Sequence, residues 1–220
     1  IKKYFFPHSL GVFYESFTQL IGFKNYGDEY KMMGLSSYGK PIYCETILNN
    51  IFKKNNNLEL NIDYFNHTNQ NYSYKFEGKP KQNDLYNERL ERLLKVKDLD
   101  INSIDNVHKN IAASAQKIFE TKLLQIFDEI KKLSLSKNLV YAGGCALNSL
   151  ANKKIYELNY FKNIFIPYAP GDGGGSIGAA LYVQKKINKN LAISNLNSPF
   201  VGNSYNNDES KGSENISFSD

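Results

Sequence analysis

The pattern that most constrains the fold lies in the second half of the chain, where an apolar segment, a glycine turn and a helix occur twice in succession. Residues 138–144 read NLVYAGG, and residues 163–170 read NIFIPYAP and lead into GDGGGSIG at 171–178. Helices are predicted over about 147–158 and over 176–186. Strands that alternate with helices pair in parallel. The sequence therefore predicts an α/β fold with parallel strands, each ending in glycines.

The first half of the chain is predicted to be mainly helical. Apolar residues at helical spacing follow Ser9, a plausible N-cap, and stop at Gly22. A second helix is predicted over 43–54. The strongest helical signal is a single apolar stripe over 106–133, which predicts a long helix against the core.

Other segments of the first half have weaker patterns. Residues 30–41 contain two glycines and a proline and are predicted to form a shaped loop. Alternating polarity at 58–65 predicts a half-buried strand, with 71–78 as its hairpin partner. The charged stretch 79–100 predicts a surface helix and a loop. Residues 193–220 are rich in Ser, Asn, Asp and Glu and are predicted to be a linker or a disordered tail.

Composition and charge exclude several classes of protein. The 220 residues are 41% apolar, carry a formal charge of +5 and include two cysteines, Cys44 and Cys145, which are predicted to be reduced thiols. No apolar run is long enough for a membrane span, and residues 1–10 do not resemble a secretory signal. No basic stripe interleaved with aromatics indicates a nucleic-acid surface. We expect a cytoplasmic protein with no membrane or nucleic-acid partner.

The two glycine turns are the candidate functional features. Glycines at the start of a helix let backbone N–H groups approach an anion, and the helix N-terminus adds partial positive charge. Gly143 and Gly144 with Asn148, and the run Gly173, Gly174 and Gly175, are therefore candidate phosphate-binding residues. The alternative is that these glycines end strands and permit close packing. Neither turn is a P-loop, and the G-x-G-x-x-G at 173–178 lacks the acidic residue that a dinucleotide site needs.

Asp172 lies between the last strand and this glycine run. A carboxylate at that place can cap the following helix. It can also hold a cation between itself and a phosphate, which would offset the repulsion of the two anions. Both interpretations remain open from the sequence.

Five blocks of the chain resemble, in order, the ATP-dependent O-carbamoyltransferases that act on nodulation factors, aminoglycosides and cephem antibiotics. The blocks are PHSLGVFYESFTQLIGF at 7–23, DEYKMMGLSSYGKP at 28–41, NIAASAQKIFE at 110–120, LVYAGGCALNSLANKKI at 139–155 and IPYAPGDGGGSIGAAL at 166–181. The resemblance implies an actin-like (ASKHA) domain related to the tRNA threonylcarbamoyltransferases, incomplete at its N-terminus. Residues 1–192 would belong to that domain, 45–105 would be a variable insertion, and 193–220 would lead to a YrdC-like domain.

The resemblance also implies a reaction and a set of site residues. ATP and carbamoyl phosphate would form carbamoyl-adenylate, whose carbamoyl group passes to a hydroxyl of a small molecule such as a sugar. The two glycine turns and Asn148 would bind the nucleotide. Asp172 would ligate a divalent metal, with iron or manganese as candidates. His8, Glu29 and Lys31 lie in family blocks and are candidate substrate-binding residues.

The chain departs from the family pattern in one respect. It has no H-x-x-x-H pair, which in the family completes the metal site. We therefore expect this piece not to complete carbamoyl transfer alone. An actin-like sugar kinase and a non-catalytic nucleotide-binding module remain as alternatives.

Overall fold

The computed structural model describes residues 3–53, 58–69, 83–133 and 135–189. The chain divides into two compact units, 1–172 and 173–220. Seven helices and two strands occur in the described residues: α1 (Leu10–Leu20), α2 (Glu29–Ser36), α3 (Cys44–Ile51), α4 (Glu88–Leu94), α5 (Asn106–Leu133), β1 (Asn138–Val140), α6 (Ser149–Glu157), β2 (Asn163–Phe165) and α7 (Gly174–Ile187). Only α7 belongs to the second unit.

The prediction of a mixed α/β chain with parallel strands is confirmed. β1 and β2 pair in parallel, with Leu139 opposite Ile164, and α6 connects them. The sheet has two strands in the described residues, and most of the first unit is helical. The carboxyl ends of both strands lie at one edge of the sheet, which is where the two glycine turns begin.

Both strands are largely exposed in the described residues. Val140 is 73% exposed and Phe165 is 57% exposed, while only the central residue of each strand is partly buried. The core of the described residues lies among the helices.

That core is organised around α5, whose observed bounds coincide with the predicted 106–133. α1 packs on it and buries Phe13, Phe17 and Ile21 completely. The Ser9 hydroxyl accepts a hydrogen bond from the Val12 N–H at the N-terminus of α1, and the chain turns at Gly22 with a φ of +94°. The predicted first helix and its two ends are confirmed.

The predicted loop at 30–41 is wrong, because its first part is the helix α2. Met32 is fully buried, and α2 packs against α5. The glycine within α2, Gly34, has no neighbour within 4 Å of the place where a Cβ would lie. Tertiary packing outweighs the low helix propensity of a single glycine here. The sequence pattern alone contained no such information.

The predicted strand at 58–65 is also wrong. A 3₁₀-helix spans Ile62–Tyr64, and the Asn61 side chain accepts a hydrogen bond from the Asp63 N–H at its start. A side-chain oxygen that bonds two residues ahead favours a turn over an extended chain. Isolated antiparallel bridges join Phe52 to Leu60 and Phe65 to Tyr86. The proposed partner strand at 71–78 lies outside the described residues, as does the predicted tail at 193–220.

The segment expected to be an insertion contributes to the core. α3 confirms the helix predicted at 43–54, and α4 is the helix predicted within 79–100. Leu90 and Leu94 of α4 are buried rather than solvated. Within the described ranges, no helix is both long enough and apolar enough to cross a membrane.

Candidate functional site

The first glycine turn is hydrogen-bonded to the segment that follows β2, at the carboxyl edge of the sheet. The Tyr141 N–H donates to the Phe165 carbonyl with an N–O distance of 3.0 Å, which continues the pairing past the strands. The Gly143 N–H then donates to the Pro170 carbonyl at 2.7 Å. Gly143 has a φ of +106°, a conformation that favours glycine. The chain segments that follow the two strands therefore lie at one sheet edge as far as Pro170.

The first turn continues as a 3₁₀-helix over Gly144–Leu147 and then enters α6. Asn148 is the N-cap of α6, and its Oδ1 accepts a hydrogen bond from the Ala151 N–H at 3.0 Å. The Asn152 Nδ2 donates to the Ala146 carbonyl at 2.7 Å. The predicted helix from about 147 therefore begins two residues later, after a tighter turn.

Asn148 is buried and belongs to a hydrogen-bonded group that joins three elements. Its amide and that of Gln116 on α5 exchange two hydrogen bonds, of 2.9 and 3.0 Å. The Tyr14 hydroxyl of α1 donates to the Gln116 Oε1 at 2.7 Å. Burial raises the pKa of Tyr14, so the hydroxyl remains a donor at neutral pH. The nucleotide-binding role of Asn148 stays a prediction, beside this observed structural role.

Most glycines of the two turns border open space in their own units. A Cβ added at Gly144 would meet nothing within 4 Å, and the same holds for Gly173 and Gly175 in the second unit. None of these three glycines has a positive φ. Neither backbone conformation nor contact with described neighbours therefore requires glycine at these positions. A ligand that approaches the backbone closely would require it.

The second turn differs from its prediction in one detail. Gly174 and Gly175 belong to the first turn of α7, which begins two residues before the predicted Ser176. Gly173 is the N-cap of α7, and no side chain caps the helix. The capping interpretation of Asp172 is therefore wrong for the described structure. Asp172 is exposed.

The described residues do not make a metal centre. They include no group of three or more His, Cys, Asp or Glu side chains placed to hold a metal ion. The histidines have other contacts: the His67 Nε2 lies 2.9 Å from the Pro7 carbonyl, and the His108 Nδ1 lies 2.7 Å from Asp105. A single exposed carboxylate, Asp172, does not fit the metal that the resemblance implies. Its role as a ligand stays a prediction.

Two of the three predicted substrate-binding residues make structural contacts. The His8 Nδ1 accepts a hydrogen bond from the Leu60 N–H at 3.2 Å. The Lys31 ammonium forms an ion pair with Asp28 at 2.6 Å, and Asp28 also accepts two hydrogen bonds from Asn25. These partners occupy the groups that were expected to face a substrate. The substrate-binding roles of His8 and Lys31 remain predictions.

Glu29 is half-buried at the start of α2, and its surroundings are unusual. Burial raises its pKa, and Asp28 adds to the effect. A second glutamate, Glu15 on α1, has its pKa raised to about 7 by burial and by repulsion from Glu29. With a pKa of about 7, Glu15 is partly protonated at neutral pH.

Two cavities lie elsewhere in the first unit. A cavity of about 440 Å³ is lined by residues that include Lys24, Asp84, Tyr86 and Glu88, and a neighbouring one of about 330 Å³ includes Gly22 and Ile101. None of the predicted site residues lines either cavity. Two cavities with mixed charges and an open rim do not by themselves indicate a ligand.

Sequence reasoning missed Tyr14, Gln116 and Glu15. Each lies in a helix that was predicted from its apolar stripe. That stripe gives no indication of what the polar residues beside it contact. The available signal was a glutamine within the small-residue run NIAASAQ at 110–116, where Ala112, Ala113, Ser114 and Ala115 are all buried. A polar residue among buried small residues must find partners, and here it finds Tyr14 and Asn148.

Comparisons with known proteins show the family of the chain. A family model described as carbamoyltransferase N-terminus matches residues 1–181. The chain is 39% identical over 186 residues to an uncharacterised protein of Synechocystis sp., covering 81% of the chain and 28% of that protein. It is 25% identical over 201 residues to the nodulation protein NolNO of Sinorhizobium fredii, covering 90% and 26%.

A third relative is the nodulation protein NolO of Bradyrhizobium diazoefficiens, 25% identical over 185 residues, with 83% of the chain and 29% of that protein covered. The chain thus spans less than a third of the length of these three relatives. The family match covers both glycine turns, Asp172 and the Tyr14–Gln116–Asn148 group. On this match, the chain belongs to the carbamoyltransferase family, in the region of its N-terminal domain.

Proposed function

We propose that this chain is the nucleotide-binding part of an ATP-dependent O-carbamoyltransferase with an actin-like fold, acting in the cytoplasm. The observation that carries the proposal is the first glycine turn, whose Gly143 is hydrogen-bonded to Pro170 at the carboxyl edge of the sheet, in a chain of this family. In open α/β sheets, ligands bind at the carboxyl ends of the strands, where this turn lies.

The turns would bind the phosphates of the nucleotide through backbone N–H groups. Gly144 begins a 3₁₀-helix, and Gly174 and Gly175 lie in the first turn of α7. The N–H groups of a first helical turn have no intrahelical partner and attract anions. A side chain at these glycines would stand between the backbone and the ligand. This accounts for Gly144 and Gly175, which neither conformation nor packing requires.

The proposed reaction transfers a carbamoyl group in two stages. In the first stage water cleaves carbamoyl phosphate to carbamate and phosphate, and a carbamate oxygen then bonds to the α-phosphorus of ATP, whose bond to the bridging oxygen breaks, so that carbamoyl-adenylate forms and pyrophosphate leaves. The hydroxyl oxygen of the acceptor then bonds to the carbamoyl carbon, the bond from that carbon to the phosphate oxygen breaks, and AMP leaves. The hydroxyl proton passes to a general base. No step of this proposal passes through a metal, because the described residues do not fit one.

The acceptor is proposed to be a small molecule with a hydroxyl group. Of the three candidate substrate-binding residues, Glu29 is the best placed, because His8 and Lys31 already have partners. Burial raises the pKa of Glu29, and a protonated carboxyl can donate a hydrogen bond to a substrate hydroxyl as well as accept one.

The relatives are about three or more times as long as the matched segment. We propose that a YrdC-like domain makes the adenylate and that this chain alone does not complete the transfer.

The test is product analysis with the full-length protein that carries this sequence. Incubated with ATP, carbamoyl phosphate and a panel of hydroxylated sugars, it should form AMP and pyrophosphate only when carbamoyl phosphate is present. The separate 220-residue chain should bind ATP and form neither product. Formation of ADP without carbamoyl phosphate would instead indicate a sugar kinase. Absence of ATP binding by both proteins would refute the proposed nucleotide role.

A further inference from the structure

A buried set of polar side chains connects the first glycine turn to the helical core. Gln116 on α5 is 4% exposed, Tyr14 on α1 is 5% exposed, and Asn148 at the end of the turn is 8% exposed. They come from three separate parts of the chain. Side chains this deeply buried need hydrogen-bond partners, and each finds them within the set.

Gln116 is the centre of this set because all four of its hydrogen-bonding positions are used. Its Oε1 accepts from the Tyr14 hydroxyl at 2.7 Å and from the Asn148 Nδ2 at 2.9 Å. Its Nε2 donates to the Asn148 Oδ1 at 3.0 Å and to the Glu120 Oε1 at 2.8 Å. A glutamine amide offers two donors and two acceptor positions, so this one is fully satisfied.

Asn148 connects this set of hydrogen bonds to the first glycine turn. The same Oδ1 that accepts from Gln116 also accepts from the Ala151 N–H and so fixes the start of α6. The Gly143–Pro170 and Asn152–Ala146 hydrogen bonds also hold the turn, whereas Leu147 is 62% exposed and a Cβ at Gly144 would meet nothing. The orientation of the Gly144–Leu147 backbone therefore depends in part on where Asn148 is held.

We propose that Gln116 is a positioning residue that holds the Gly143–Asn148 turn in the conformation that binds nucleotide phosphates. It acts through Asn148 and touches no ligand itself. The inference rests on the proposed nucleotide-binding function. Backbone N–H groups bind an anion well only when their directions are set before the ligand arrives. A buried set of hydrogen bonds provides that rigidity because losing one member leaves the others without partners.

The experiment compares Gln116→Leu with wild type and with a matched control. Gln125→Leu makes the same substitution on the same helix, at a glutamine whose Oε1 has no partner among the described residues. Three quantities are measured for the 220-residue chain: the melting temperature, the amide exchange rates of residues 141–148, and the dissociation constant for ATP by calorimetry at a temperature where all variants are folded.

Gln116→Leu should raise both the exchange rates of the turn and the dissociation constant for ATP by roughly 10-fold or more, as expected when buried polar groups lose their partners. Gln125→Leu should change neither. Tyr14→Phe removes a single hydrogen bond, is the milder variant if Gln116→Leu fails to fold, and should weaken ATP binding by about 3-fold.

The opposite pattern would overturn the inference. If Gln116→Leu, or Tyr14→Phe in its place, lowers the melting temperature but leaves turn exchange and ATP affinity at wild-type values, the set is only structural. Failure of the proposed function has a different signature. A wild-type chain that binds no ATP refutes nucleotide binding, and the exchange rates of the turn alone then decide whether Gln116 positions it.

Discussion

Glu15 is the residue whose ionisation should affect stability most visibly. Its pKa in the folded chain is about 7, raised by burial and by Glu29, against an ordinary value of 4.5. The folded state therefore binds a proton that the unfolded state has released between these two pH values. By linkage, the free energy of unfolding should fall as pH rises from about 4.5 to about 7 and then level off.

Replacing Glu15 with Gln should remove that slope. We expect the variant to be more stable than wild type at pH 8 by ~1–3 kcal/mol and to differ little at pH 4.5. Denaturant unfolding at both pH values measures this. The control is Glu157→Gln, at an exposed carboxyl whose pKa is lowered by Lys154, and it should not stabilise the chain at pH 8. Equal stability of wild type and Glu15→Gln at pH 8 would contradict the account.

At the scale of elements, the segment just after α2 lies against α5, and this close contact depends on Gly39. A Cβ at Gly39 would lie 1.9 Å from the Lys109 carbonyl oxygen, which is backbone and cannot move aside easily. The next residues bond to the same helix: the Lys40 N–H donates to Asn110 and the Tyr43 N–H to Ser114. The glycine lets this segment lie directly on α5.

Gly39→Ala should therefore be destabilising by ~1–3 kcal/mol, as for overpacked sites. Gly34→Ala is the matched control, because it lies within α2 beside open space and should stabilise the chain by up to ~1 kcal/mol. Thermal unfolding of both variants measures the contrast. Similar effects for the two substitutions would show that the close approach at Gly39 is not required.

The difference between local patterns and contacts between distant segments explains which elements the sequence could predict. Long periodic segments were predicted well: α1 with its Ser9 cap, and α5 over its full length. α2 was not, because its stability comes from packing on α5 and its own pattern is short and interrupted by Gly34. The 3₁₀-helix at 62–64 was missed because a local Asn61 side-chain bond outweighed alternating polarity. Contacts between distant segments are absent from a periodicity argument.

At the scale of the whole molecule, the candidate site shows the same division. The placement of both strand ends at one sheet edge followed from parallel strands, and the Gly143–Pro170 bond agrees with it. The Tyr14–Gln116–Asn148 set could not be predicted from the sequence. Gln116 lies 32 residues from Asn148 and 102 residues from Tyr14 along the chain. Five matching blocks indicated the family correctly.

The central claim is that the two turns require glycine because a nucleotide approaches their backbone closely. The most direct test is calorimetry of ATP with Gly144→Ala, Gly175→Ala and the control Gly34→Ala. All three positions border open space, so the folded chain should tolerate each substitution. The account predicts that the first two variants stay folded and lose ATP affinity by about 10-fold or more, while Gly34→Ala binds like wild type. Wild-type affinity in both Gly144→Ala and Gly175→Ala would contradict it.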